Sequence, residues 1–98
     1  MENKSFNVAV LGAGNIGSAV VTRLINLDKE IVELNVAKVL VKDTSKKREI
    51  SSEILTDDFT DILNDETIDL VIEVLGGVEP GKEYIKALLS NGKAVITA

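Results

Sequence analysis

Apolar positions along the chain fall into two kinds of pattern. Short continuous runs rich in β-branched side chains occur at FNVAVLG (6–12), VAKVLVK (36–42), DLVIEVLGG (69–77) and KAVITA (93–98). Runs of this length, bounded by glycine or charge, predict strands buried on both faces. Between them the spacing changes. From Asn15 to about Asp28, Ile16, Val20, Leu24 and Leu27 recur at intervals of four, four and three, which lines them along one face of a helix. Pro80, followed by Tyr84, Ile85, Leu88 and Leu89 on one face and then by Gly92, predicts a later helix with Gly92 just past its end. The stretch ILTDDFTDILNDETI (54–68) predicts a short helix with Phe59, Ile62 and Leu63 inward and Asp57 or Asp58 near its N-cap. The pattern leaves open whether a strand precedes that helix. Residues 29–35 read as a charged connection and DTSKKREISSE (43–53) as a polar loop.

Strands alternating with helices predict an α/β fold: a parallel sheet covered on both faces, with right-handed crossovers giving a doubly wound, Rossmann-type arrangement. At 98 residues and 45% hydrophobic content the chain is expected to form a single domain, 1–98. It stops directly after a strand, at the edge where ligands bind in such sheets, so a piece of a longer protein is expected.

Composition then removes several function classes. The net charge of −5 and pI near 4.6 supply no positive field for nucleic acid or an anionic membrane, and neither partner is expected. Cysteine and histidine are both absent, which excludes disulfides, thiolate chemistry and the zinc sites built on these ligands; no metal is expected. The polar start MENKSF has no apolar region behind it, and no apolar run approaches ~18 residues. A soluble, cytoplasmic protein is expected.

The candidate chemistry begins at VAVLGAGNIGSAVV. Read as G-x-G-x-x-G, the glycines are Gly12, Gly14 and Gly17. Gly12 allows a tight turn off the strand, Gly14 lets backbone approach a pyrophosphate, and Gly17 permits close helix-to-strand contact. The helix start supplies N–H groups from about Asn15 to Gly17 and a positive dipole end. A glycine turn serving only packing is the plain alternative, but position after a strand and before a helix favours nucleotide binding.

For the adenine ribose the chain offers Lys42 and Asp43, about 25 residues after Gly17 where ~20 is usual. Asp43 alone favours NAD. Lys42, Lys46, Lys47 and Arg48 oppose it: residues 42–48 carry four basic side chains and one acidic, a net +3 in a chain of total −5. Such a cluster suits the 2′-phosphate of NADP, against the alternative of a solvated lysine loop. The expected cofactor is NADP or NAD, with NADP favoured.

Leu75, Gly76 and Gly77 end the strand that should lie across from the first glycine turn, where the nicotinamide half of a dinucleotide would pass. An ordinary strand-to-helix turn is the alternative. Glu73 is a carboxylate inside an apolar strand, costly unless hydrogen-bonded, so it is expected to be satisfied by nearby backbone N–H groups or to belong to the site, with the structural role favoured. The Thr97 hydroxyl either reaches the cofactor's ribose or amide or simply closes the last strand.

VAVLGAGNIGSAVV, KVLVKDTSKKR and above all IDLVIEVLGGVEPGKEYIKALLSNGKAVITA together resemble the N-terminal cofactor domain of homoserine dehydrogenase. The resemblance covers nearly the whole chain and is most specific in E-V-x-G-G-x-E-P followed by G-K-x-V-x-T-A. It implies an enzyme interconverting homoserine and aspartate 4-semialdehyde with NAD(P)(H), on the route to threonine and methionine. It further implies cofactor contact by Gly12, Gly14, Asn15, Ile16 and Gly17, by Lys42 near the adenine ribose, and by Leu75, Gly76 and Thr97 near the nicotinamide ribose. The family continues past T-A with an Asn-Lys, and its substrate residues and catalytic lysine and aspartate belong to a later domain. No catalytic residue is therefore expected in this chain, which should hold a nicotinamide dinucleotide without turning over substrate unaided. The parent is expected to act on a small molecule and to be a homo-oligomer. Rival readings are another NAD(P)-dependent oxidoreductase, such as an aspartate dehydrogenase or dihydrodipicolinate reductase, and a non-catalytic nucleotide-sensing module.

Overall fold

The computed structural model describes residues 4–12, 19–23, 26, 32–45, 50–75 and 81–97. Among them the strands are β1 (Lys4–Leu11), β2 (Val32–Leu40), β3 (Leu55–Thr56), β4 (Leu70–Glu73) and β5 (Ala94–Thr97). Residues 19–23 are helical (α1), and the other helices are α2 (Thr60–Leu63) and α3 (Gly81–Ser90), with a 3-10 turn at Ser52–Ile54. The strands form one parallel sheet in the order β3-β2-β1-β4-β5. The order reverses direction at β1, where β2 lies on one side and β4 on the other. This is the doubly wound sheet that the alternation of patterns predicts.

Two apolar layers cover the sheet. On one face Val21 of α1 packs with Val10, Val39, Val41 and Ile50. On the other, Ile62 of α2 and Leu88 of α3 pack with Ala9, Leu11, Leu40 and Val71. The inner strands are therefore apolar on both faces, which is why they read as continuous runs. Phe59 and Tyr84 join the second layer through stacked rings 4.0 Å apart.

Several boundaries differ from expectation for identifiable reasons. β2 begins at Val32, within what the sequence presents as a charged connection, because Val32–Asn35 pair with Lys4–Asn7 at the half-exposed end of the sheet. Polar side chains are tolerated there, and Phe6 itself is 38% exposed. The register of β1 and β2 shifts between Val8 and Ala9: Val8 pairs with Val36 and Ala9 with Lys38, leaving Ala37 as the extra residue of a bulge. The bulge lets Val36 and Val39 pack into the same layer although they are three apart, and Ala37 and Leu40 into the other. Lys38 Nζ then reaches the Asp61 carbonyl at 2.8 Å and Asp65 Oδ2 at 3.2 Å. β3 does precede α2, with only two residues, too short to leave a hydrophobic pattern.

The start of β4 is set by Asp69. Its N–H donates to the Asn7 carbonyl at 2.8 Å, and its Oδ2 accepts from the Asn7 N–H at 2.8 Å, which aligns β4 on β1. The end of α3 is set by Gly92, with φ of +78°. The Gly92 N–H donates to the Leu89 carbonyl and the Lys93 N–H to that of Leu88, both at 3.0 Å, closing the helix as expected. Of the expected α3 face, Leu88 is fully buried and Tyr84 and Ile85 are half-buried, but Leu89 is 57% exposed. The helix needs one narrow stripe against the sheet, and Leu89 lies beyond it.

Two carboxylates organise turns. Asp58 Oδ1 accepts from the Thr60 N–H at 2.9 Å and hydroxyl at 2.6 Å, and Asp65 Oδ1 accepts from the corresponding groups of Thr67 at the same distances. The hydroxyl bonds foremost, then the N–H bonds, hold both carboxyls below their ordinary pKa. A depressed folded-state value contributes stability that is present above the unfolded value of about 3.9 and lost as pH falls through the folded one. Thr60→Val and Thr67→Val should each move the adjacent aspartate partway back toward its ordinary value. Carbonyl 13C titration between about pH 2 and 6 reads the shift directly, and unmoved midpoints would contradict the assignment.

Candidate dinucleotide site

The carboxyl ends of the strands meet along one edge, and the reversal of strand order between β1 and β4 opens that edge to a ligand. Gly12 follows β1 directly. Its φ is +104°, a conformation that disfavours any side chain, and its N–H donates to the Leu40 carbonyl at 2.8 Å. A Cβ at this position would lie 3.0 Å from Leu75 Cδ2 and 3.3 Å from Val74 Cγ2. Gly12 is thus required twice over: once by the turn and once by the residues that follow β4.

Across the reversal, the Val74 N–H donates to the Leu11 carbonyl at 3.0 Å, the last ladder bond between β1 and β4. Glu73, the final residue of β4, is 0% exposed. Its Oε2 accepts from the Leu75 N–H, and its Oε1 has no hydrogen-bond partner among the described residues. The structure thereby supplies the expected backbone N–H partner for this buried carboxylate. Gly81, in the first turn of α3, is buried against the same group: a Cβ there would lie 3.6 Å from Glu73 Oε2 and 3.6 Å from Leu75 Cβ.

At the end of β2, the exposed residues Lys42 and Asp43 occupy the expected position. Asp43 Oδ1 accepts from the Ser45 N–H at 2.9 Å and the Ser45 hydroxyl at 2.6 Å, so the carboxylate shapes its own loop. The Asp-x-Ser spacing carries that signal in the sequence, as it does for a side chain closing a turn two residues on. Thr97 closes β5, paired in register with Glu73 of β4, and is exposed. Lys42 and Asp43, Gly12, Leu75 and Thr97 are thereby brought to one edge on four neighbouring strands. Gly14, Asn15, Ile16, Gly17, Lys46, Lys47, Arg48, Gly76 and Gly77 lie outside the described residues.

An open groove of about 450 Å³ lies at the opposite pole, lined in part by Asn64, Asp69, Gly92 and Lys93. Among its described lining residues the cationic group is Lys93, already committed, since its Nζ donates to the Asp65 carbonyl at 2.6 Å. The strand-reversal edge, where bare backbone and charged loop residues converge, is the better ligand site. Among the described residues no cluster of acidic side chains is suited to a metal ion, and no helix is long and apolar enough to cross a membrane.

The residues at the edge fit a dinucleotide. From β2 to β5 is three inter-strand spacings, about 14 Å, a span for an extended ligand with two ends. Lys42 places a cation at one end and Thr97 a hydroxyl at the other, with the turn at Gly12 between them.

Comparison with known proteins points the same way. A family model described as the homoserine dehydrogenase NAD binding domain matches residues 12–98. A homoserine dehydrogenase of Bacillus subtilis is 39% identical over 97% of this chain, and one of Corynebacterium glutamicum is 36% identical over 93%. A crystal structure of the Staphylococcus aureus homoserine dehydrogenase superposes on 99% of the chain with a TM-score of 0.89 and 38% identity. The chain spans about a quarter of each: 24% and 22% of the two relatives and 26% of the crystallised chain.

Substituting the glycine that both turns require has a defined cost. Gly12→Ala should lower stability by about 1–3 kcal/mol, through backbone strain and the contact with Leu75. In a domain of this size that is roughly 4–8 °C of Tm per kcal/mol, read by thermal unfolding. An unchanged Tm would contradict the contact.

Proposed function

Because the chain belongs to the family of homoserine dehydrogenase NAD-binding domains, we propose that it holds the nicotinamide dinucleotide of such an enzyme. The longer protein interconverts L-homoserine and L-aspartate 4-semialdehyde, in threonine and methionine biosynthesis in the cytoplasm, as a homo-oligomer. The observation that carries this reading is the order of strand ends, β2-β1-β4-β5, with Lys42, Gly12, Leu75 and Thr97 along one edge. The adenine ribose belongs at β2, the pyrophosphate at the glycine turn after β1, and the nicotinamide ribose beside Leu75, Gly76 and Thr97.

When bound, the dinucleotide supplies hydride transfer at its nicotinamide ring. The chain's own residues bind and orient. Gly12, Gly14, Asn15, Ile16 and Gly17 offer backbone to the phosphates. Gly76 and Gly77 keep side chains out of the nicotinamide's path, and the Thr97 hydroxyl meets its ribose. No residue here is assigned proton transfer or substrate contact. Those roles fall to parts of the longer enzyme, and the isolated chain is inactive.

NADP is the favoured cofactor. Lys42 and Arg48, with Lys46 and Lys47, meet the 2′-phosphate, while the bond of Asp43 Oδ1 to Ser45 spends part of that carboxylate on the loop. An Asp whose main task is turn formation competes less for a ribose diol.

Purified longer protein should reduce NADP in a homoserine-dependent assay, and dinucleotide binding without turnover would support a sensing module instead. Gly14→Asp in the present chain should abolish dinucleotide binding while its circular dichroism stays unchanged; unaltered affinity would refute the pyrophosphate assignment. Lys42→Ala should lower the NADPH-to-NADH affinity ratio by about tenfold or more, one charge-assisted hydrogen bond's worth. An unmoved ratio would leave the lysines as a solvated loop.

A further inference from the structure

Glu73 is a buried carboxylate to which the binding scheme above gives no task. An apolar side chain of similar volume would fill the same position in β4 without the cost of desolvating a charge, so packing does not account for it. Its hydrogen bond does. The ladder between β1 and β4 ends with Val74 N–H on the Leu11 carbonyl. One residue later β1 has turned away at Gly12, and the Leu75 N–H has no strand partner left; the Glu73 carboxylate takes it instead.

That bond has a consequence across the sheet. With its N–H held, Leu75 sets its side chain against the bare α-carbon of Gly12, where an added Cβ would come within 3.0 Å of Cδ2 and 3.5 Å of Cγ. The first turn of α3 closes on the same group from the other side through Gly81, whose absent side chain leaves room beside Glu73 Oε2. Carboxylate, Leu75, Gly12 and the start of α3 therefore touch in sequence. A carboxylate beside a helix N-terminus is also favoured by the helix dipole.

We propose that Glu73 is a positioning residue for the dinucleotide site: its carboxylate holds Leu75 so that Leu75 buttresses Gly12, coupling the exits of β1 and β4. The inference rests on the dinucleotide reading of the edge and deepens it. Glu73 is too deeply buried to touch the ligand, and it acts through Leu75. Loosening it displaces the pyrophosphate turn and the nicotinamide wall together, and small displacements of a preorganised site cost binding.

The test uses the 15N-labelled chain, with NADPH as the probe. Glu73→Met removes the acceptor at similar volume, and Glu73→Gln restores a neutral one. Glu73→Met should weaken NADPH binding about tenfold, with Glu73→Gln recovering a large part of the loss. In the absence of nucleotide, Glu73→Met should shift the amide resonances of both Leu75 and Gly12 and speed the exchange of the Leu75 amide, while Ile62 and Val21 stay as they are. NADPH affinity equal to the parent sequence, with Leu75 and Gly12 unmoved, would overturn the proposal. Should Glu73→Met fail to fold, Leu75→Ala without nucleotide decides: it keeps the N–H and removes the buttress, so it must shift the Gly12 amide resonance, and an unmoved Gly12 would equally overturn the inference. Failure of the underlying reading looks different, since the unsubstituted chain would then bind no dinucleotide at all.

Discussion

Where β1 and β4 end side by side, two chain segments must leave the sheet through the same space. Gly12 turns off β1 with φ of +104°, and the room that its missing side chain leaves is filled by Val74 and Leu75 coming off β4. Almost everything of functional interest in the molecule depends on that accommodation. The strand order reverses there, so the helical segments that follow β1 and β4 lie on opposite faces of the sheet. A side chain at Gly12 would force the two turns apart.

The rest of the architecture delivers residues to that point. Asp69 fixes β4 against β1 through two bonds to Asn7, which sets how far along the edge Glu73 and Leu75 emerge. The bulge at Ala37 resets the alternation so that Val36, Val39 and Val41 all face one layer, and the chain leaves β2 with Lys42 and Asp43 exposed at that edge. Asp43 then bends its own loop through Ser45. Lys42, exposed just after β2, brings one basic side chain to that edge of an acidic chain.

Much of this was legible in the sequence because the signals are local. Continuous β-branched runs located the inner strands, and Gly92 located the end of α3. Glu73 stood out as a carboxylate in an apolar run and is indeed buried and bonded to backbone N–H. What escaped depends on contacts distant in the chain. The first residues of β2 look like a charged connection because they lie at the half-exposed end of the sheet. β3 has two residues and no pattern of its own. The bulge at Ala37 arises from matching β1 and β2, which neither strand announces. Leu89 belongs to the apolar stripe by spacing yet is 57% exposed, because the width of the contact is set by the sheet. The buttress between Leu75 and Gly12, 63 positions apart, has no sequence signature.

A single dinucleotide lying across the strand-reversal edge would touch the turns after β1, β2 and β4 together. Titrating the labelled chain with NADPH and mapping its amide shifts tests this directly. Concerted, saturable shifts are expected at Gly12, at Lys42 and Asp43, and at Leu75, with Asn64, Asp69 and Gly92 at the opposite pole silent. Shifts confined to that opposite pole, or to the basic loop without Gly12 and Leu75, would contradict it.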